Sequence, residues 1–233
     1  MARKDHPDSK LDWNKAVKPL LQKYKGRKHP LEYKSSYQLM VMVVLSARDS
    51  DRNINTLAPA FFKKFPSMKH LAKASPAELY PFLRKVRNFR NKSTWLVETA
   101  KRIRDDSKIP RTLDELIQYP GIGRKSANVI MSQMNVPAEG IIVDIHTVRV
   151  APRLGIASGT NPEKIEKQLM AEVLKKNWHA LGMSLTWLGR EICRPTNPKC
   201  LECVMNKVCH FYNSSKTSPA RKKIFAIRGR REN

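Results

Sequence analysis

Apolar side chains recur along nearly the whole chain at three- and four-residue intervals, and no run alternates with a period of two. That pattern confines the fold to packed helices, because a half-buried strand needs the two-residue period. Trp13, Val17, Leu20, Leu21 and Tyr24 share one helical face, and Ile54, Leu57, Phe61, Phe62 and Phe65 share another. The second helix is expected to start with Asp51 as its N-cap and to kink or restart at Pro59. Ser75-Pro76-Ala77-Glu78 and Thr112-Leu113-Asp114-Glu115 read as capping boxes, the latter opening a helix that should stop at Pro120. Asn161-Pro162 opens a further helix with Ile165 and Leu169 on one face, and Leu181, Leu185 and Leu188 mark one more. The valines of the apolar run Leu39–Leu45 suit a strand, but no partner strand is visible, so a fully buried helix is expected. The fold class expected is all-α.

Charge narrows the partners. Lys+Arg 45 against Asp+Glu 20 leaves a formal charge of +25, which excludes an ordinary acidic metabolic enzyme. It favours nucleic acid first and an anionic membrane second. Leu39–Leu45 is the longest apolar run and falls far short of the roughly 18 residues that span a bilayer, so no integral membrane protein is expected. The first ten residues carry Arg3, Lys4, Asp5, Asp8 and Lys10 without an apolar stretch, so no secretory signal is read and an intracellular location is expected.

All four cysteines fall in one short segment, Cys193, Cys200, Cys203 and Cys209. Crowded thiols in an intracellular chain read as a metal or iron–sulfur site. Only Cys200 and Cys203 form a Cys-x-x-Cys arm, whereas zinc sites usually use two, and spacing alone leaves zinc and iron–sulfur both open. Arg190, Arg194, Lys199 and Lys207 surround the ligands, either as phosphate contacts or as solvated charge.

The segment Leu116–Val129 carries the most chemistry. The four-residue turn Pro120-Gly121-Ile122-Gly123 is expected to join two helices, the second beginning at about Arg124. Gly121 and Gly123 admit backbone conformations closed to other residues and let a ligand approach closely, while Ile122 anchors the turn in the core. The turn and the positive end of the next helix then form an anion site suited to phosphate. The plainer alternative is a tight connection between packed helices. Lys125, beside Arg124 in the first helical turn, is an ordinary surface lysine unless cationic neighbours and partial burial free its amine as a nucleophile. Asp144 reads as the N-cap of the helix that follows, as a catalytic carboxylate, or as both. His146 by itself reads as structural.

Taken together, PGIGRKSANV, VDIHTVRV and the terminal Cys-x6-Cys-x2-Cys-x5-Cys resemble the endonuclease III family. These are helix-hairpin-helix DNA glycosylase/AP lyases with an iron–sulfur cluster. The resemblance runs from about Trp13 to Tyr212 and includes Leu45-Ser46-Ala47 and the following Asp51. It implies that Lys125 is the Schiff-base lysine, Asp144 the essential aspartate, and the four cysteines the ligands of one [4Fe–4S] cluster of structural or DNA-positioning role. It also implies DNA contacts at Gly121, Ile122, Gly123, Arg124, Arg48, Asp51, His146, Arg190 and Arg194. Two helical lobes are expected with the hairpin motif between them. One is a helical barrel over 30–136 holding the motif at about 112–134. The other joins 10–29 to 137–213 and holds the cysteine loop, and 214–233 is a basic, disordered tail.

The implied activity is removal of damaged, oxidised pyrimidines followed by cleavage 3′ to the abasic site. The implied partner is double-stranded DNA carrying damaged bases or abasic sites, engaged by a monomer in the bacterial cytoplasm or nucleoid. A mismatch glycosylase acting on thymine or adenine is the alternative within the family, and a non-catalytic DNA-binding protein the alternative outside it. The chain departs from the family pattern at Tyr119, Ser126, Arg48, Arg87-Asn88 and Leu188. Arg48 stands where a glutamine that fills the flipped-out nucleotide's place is usual. The last three departures bear on lesion preference more than on chemistry.

Overall fold

A computed structural model describes residues 11–217. It is helical with no strand among the described residues, as the periodicity requires. In chain order the helices are α1 (Trp13–Ala16), α2 (Lys18–Lys23), α3 (Ser36–Ser46), α4 (Asp51–Lys64), α5 (Met68–Leu71), α6 (Pro76–Leu83) and α7 (Phe89–Ile103). They continue with α8 (Leu113–Leu116), α9 (Arg124–Gln133), α10 (Ile145–Leu154), α11 (Pro162–Glu172), α12 (Trp178–Glu191) and α13 (His210–Thr217).

The chain divides into two compact units, one over Gly26–Gly140 and one joining the N-terminal segment through Lys25 to the chain from Ile141 onward. The Gly26–Gly140 unit is built around α3. Tyr37 and every residue from Leu39 to Leu45 are buried, so this helix is apolar on all sides and packs against α4, α7 and α9. The expectation of a buried helix there holds. The hairpin formed by α8, the PGIG turn and α9 lies wholly inside this unit.

The other unit centres on α10 against α12, with α2 packed on α12 and α13 on α10. Val150, Leu154, Leu181, Leu185 and Leu188 fill its core together with Ile165 and Leu169 of α11. A Cβ on Gly189 would stand 2.7 Å from the His146 Cβ, so α10 comes this close only because α12 has no side chain there.

Several local expectations are corrected. The single helix read over Trp13–Tyr24 is two, because Pro19 supplies no N–H to continue α1 and instead sits in the first turn of α2. Ser50, not Asp51, caps α4, its Oγ accepting from the Asn53 N–H at 3.2 Å. Pro59 does not end that helix, which runs unbroken to Lys64. Burial of Ile54, Ala58 and Phe61 on both sides of the proline outweighs its cost of ~3 kcal/mol. The helix after Thr112 closes at Leu116, earlier than Pro120. Residues Ser214–Thr217 of the expected tail are helical, with Ser215 buried; the remainder of the tail lies outside the described residues.

Candidate active site and nucleic-acid interface

The PGIG turn is fixed from beneath by α3 and α7. Gly121 adopts φ +80°, and a Cβ on it would lie 2.7 Å from Trp95 Cε3 and 3.3 Å from Val44 Cγ1. Glycine is therefore required twice over, for its conformation and for the close approach. Ile122 is buried, as expected of the anchor. Gly123 differs from the expectation. It sits at φ −88°, ψ 174°, which any residue can adopt, and it caps α9 without a side chain. Nothing lies within 4 Å of the place its Cβ would occupy, so its smallness leaves the mouth of the turn open.

Tyr119 has a use as well. Arg102 of α7 stacks on its ring with Cζ 4.3 Å from the centroid and donates from Nη1 to the Gln118 carbonyl at 2.8 Å. Arg124 and Lys125 are both exposed in the first turn of α9. Lys125 is thus presented at the helix end that favours an anion, without the partial burial expected of it.

Two further loops leave the same pair of helices. α3 ends in Ala47-Arg48-Asp49-Ser50, and α7 is entered through Lys85-Val86-Arg87-Asn88. Arg48 is exposed with φ 59°, and Asp51 is half-buried at the start of α4. Lys92, only 2% exposed, donates from Nζ to the Leu45 and Ala47 carbonyls, each at 2.7 Å. A buried lysine thus ties off the C-terminal end of α3. Burial lowers its pKa, and the nearby Asp49 charge works in the opposite direction.

In the other unit Asp144 caps α10, its Oδ1 accepting from the His146 and Thr147 N–H groups at 2.9 and 2.8 Å. The structural half of its dual reading holds. His146 is half-buried, with Nδ1 3.2 Å from Arg149 Nη2. Burial lowers its pKa, Asp144 opposes, and the charges of Arg190 and Arg149 lower it further. Arg190 is exposed and stacks on Trp187, and Arg194 is exposed beside the cysteines. Leu188 is buried in the core behind the cysteines, so its departure from the family pattern is a packing change and not a change of exposed surface.

The four cysteines line one cavity walled by Leu154, Leu188, Ile192, Phe211 and Tyr212. No disulfide joins them. Burial and mutual repulsion push the Cys200 thiol up to about 11, and Cys203 and Cys209 are also raised, by burial first. Binding of a metal group there must release those protons. Four thiols with no imidazole or carboxylate make a soft donor set suited to iron–sulfur.

Residues beyond the sequence reading hold this loop. Arg149 Nε donates to the Cys193 carbonyl at 3.0 Å. Arg153 Nη1 lies 3.6 Å from Cys193 Sγ and donates to the Arg194 carbonyl at 2.7 Å, while its guanidinium stacks on Phe211. Their four-residue spacing on α10 was a signal that they share a face; the partner of that face was not legible.

A family model described as HhH-GPD superfamily base excision DNA repair protein matches residues 41–176. An endonuclease III of Synechocystis sp. is 31% identical over 188 residues, covering 80% of this chain and 86% of its own length. Among solved structures, a non-covalent endonuclease III–DNA complex superposes with a TM-score of 0.77 at 27% identity, covering 88% of this chain and 96% of the other. A trapped endonuclease III–DNA covalent intermediate gives 0.77 at 27% identity, covering 87% and 96%. With the hairpin, the capping aspartate and the cysteine cavity all in place, the chain belongs to the HhH-GPD superfamily of base excision DNA repair proteins and, within it, to the endonuclease III family.

Proposed function

We propose that this chain is a bifunctional base excision repair enzyme, a DNA N-glycosylase for oxidised pyrimidines and an AP lyase that cleaves 3′ to the abasic site. The observation that carries the reading is an exposed lysine in the first turn of α9, directly after a glycine turn whose mouth is open. The target nucleotide must leave the duplex for a side chain to reach its sugar. The PGIG turn and the N-terminus of α9 hold a backbone phosphate, with Arg124 beside it.

The Lys125 amine attacks the sugar C1′, and the N-glycosidic bond breaks as the base departs with its electron pair and takes up a proton. Asp144 stabilises the positive charge developing on the sugar. The His146 and Thr147 N–H groups that donate to its Oδ1 keep it in place. The amine, now bound to C1′, loses a proton as the C1′–O4′ bond opens, O4′ leaves as a hydroxyl and C1′ becomes the Schiff base; loss of a C2′ proton from it breaks the C3′–O bond, and the 3′ phosphate departs with that electron pair. Cys193, Cys200, Cys203 and Cys209 would hold a [4Fe–4S] cluster. When bound, such a cluster supplies a structural clamp on the 193–209 loop. The exposed Arg190 and Arg194 present charge to phosphate from that side of the chain. The protein acts as a monomer on DNA inside the cell.

The test is a duplex with one abasic site, treated with borohydride. A covalent protein–DNA adduct is expected from the parent and none from Lys125→Ala of matched melting temperature and cluster colour. A cluster-loaded parent that forms no adduct would overturn the lyase reading. Release of thymine or adenine from mismatched duplexes would then point to a monofunctional relative.

A further inference from the structure

A groove of about 790 Å³ crosses the Gly26–Gly140 unit at the end away from the PGIG turn. Gln38, in the first turn of α3, and Gln133, the last residue of α9, stand on its walls. Gly123 and Gln133 are separated by the whole of α9, about 15 Å of helix. The groove and the phosphate turn therefore occupy opposite ends of that helix. The floor of the groove is apolar, with Leu31 and Ala58 buried and Phe62 half-buried. Phe62 is braced edge-on by the rings of Tyr37 and Phe61, at centroid distances of 5.5 and 5.4 Å.

Side-chain bonds fix the walls. Asn55 Nδ2 donates to the Pro30 carbonyl at 2.9 Å, and its Oδ1 accepts from the Glu32 N–H at 3.0 Å. Gln38 Oε1 accepts from the Lys34 N–H at 2.9 Å, and Gln133 Oε1 accepts from the Tyr33 hydroxyl at 2.8 Å. The Nε2 donors of both glutamines are left without a partner among the described residues. Pro59 has no N–H, so the Asn55 carbonyl one turn earlier in α4 loses its intrahelical donor. Both residues line the groove, so a backbone acceptor lies open beside it. Lys28, Lys34 and Lys63 are exposed around the edge and pair with no carboxylate among the described residues; Glu32 is the one acid that lines it.

We propose that this groove docks an acidic segment of a partner protein, with one bulky apolar side chain seated on Leu31, Ala58 and Phe62. The three lysines and the two glutamine amides offer donors, which carboxylates and backbone carbonyls accept. The Asn55 carbonyl needs a donor in return. A peptide N–H supplies one, and a phosphate backbone does not. A phosphate backbone also brings no apolar side chain to the floor. An apolar floor inside a charged edge suits an anchored interface, where the buried anchor carries the affinity and the edge charges steer the approach. Because the groove lies at the far end of α9, the PGIG turn stays free for DNA while the partner is bound. The proposal does not depend on which reaction that turn serves.

The probe is a short fluorescein-labelled peptide of aspartate, glutamate and glycine with one central tryptophan, titrated with the full chain at physiological ionic strength and read by anisotropy. It should bind ~10-fold more tightly than the same peptide with serine in place of tryptophan. Lys34→Glu/Lys63→Glu should weaken its binding ~10-fold. Lys164→Glu/Lys167→Glu, the same charge change at exposed positions of α11, should weaken it by no more than about twofold. Phe62→Ala should abolish the advantage of tryptophan over serine. If that variant does not fold, the lysine variants, confined to exposed side chains, still decide. Affinity of Lys34→Glu/Lys63→Glu for an undamaged duplex should stay within about threefold of the parent's. Equal binding of the tryptophan and serine peptides reduces the contact to charge and overturns the proposal. Equal losses from the two double variants overturn it as well. A loss of duplex affinity of about tenfold, confined to Lys34→Glu/Lys63→Glu, would assign the groove to nucleic acid and overturn the peptide reading.

Discussion

At Asp144 one carboxylate is asked to cap a helix and to serve the chemistry, and the two demands separate by substitution. Asparagine caps as well as aspartate, whereas alanine cannot accept the His146 and Thr147 N–H groups. Asp144→Asn should therefore keep the parent's stability to within a few tenths of a kcal/mol and lose base removal. Asp144→Ala should lose the activity and ~1 kcal/mol of stability as well. Urea unfolding together with single-turnover kinetics checks both; an active Asp144→Asn would leave the residue only its structural role. Gly121 and Gly123 make a similar division. The first is demanded by φ and by Trp95 beneath it, the second by open space before the helix.

Among the elements, the α10–α12 packing encloses a titratable group. His146 sits against Gly189 with Arg149 at its Nδ1, and burial is the largest cause of its lowered pKa. The sign follows from proton uptake. Between its ordinary value of 6.5 and the lower folded value, the unfolded chain binds the proton more readily, so folding is penalised as pH falls through that window. Stability is fully retained above about 6.5 and changes no further below the folded pKa. Denaturant midpoints at pH 8 and at pH 5.5 should fall further apart in the parent than in His146→Gln. Equal losses would remove His146 from the acid response. The same packing explains why this histidine, expected to touch DNA, is held by protein on one side.

For the whole molecule the relevant quantity is charge. Of the Lys/Arg excess behind the +25, Arg221, Lys222, Lys223, Arg228, Arg230 and Arg231 lie beyond the described residues. If these side chains neutralise phosphates, truncation after Thr217 should flatten the log–log salt dependence of DNA affinity by about 0.9 for each phosphate no longer neutralised. The cut belongs after Thr217 and not before Ser214, because α13 runs to that residue and packs on α10. Anisotropy titrations over a salt series read the slope; an unchanged slope removes this segment from DNA binding.

Much of this was legible in the chain itself. Helical periodicity, the buried run Leu39–Leu45, the capping residues Ser75, Thr112, Asp144 and Asn161, and the glycine turn all follow from local sterics and short-range hydrogen bonds, which neighbouring residues determine. The cysteine spacing likewise pointed to a metal group. What only the tertiary structure decided are the partners of long side chains. Lys92 ties off α3 from 45 residues or more away, Asp49 reaches Arg87 across 38, and Arg149 and Arg153 hold the Cys193 end of the loop across about 40. In sequence each of these is one more charge in a strongly charged chain. Its partner is set by which helices pack together, and that depends on burial summed over the whole core and not on any local signal.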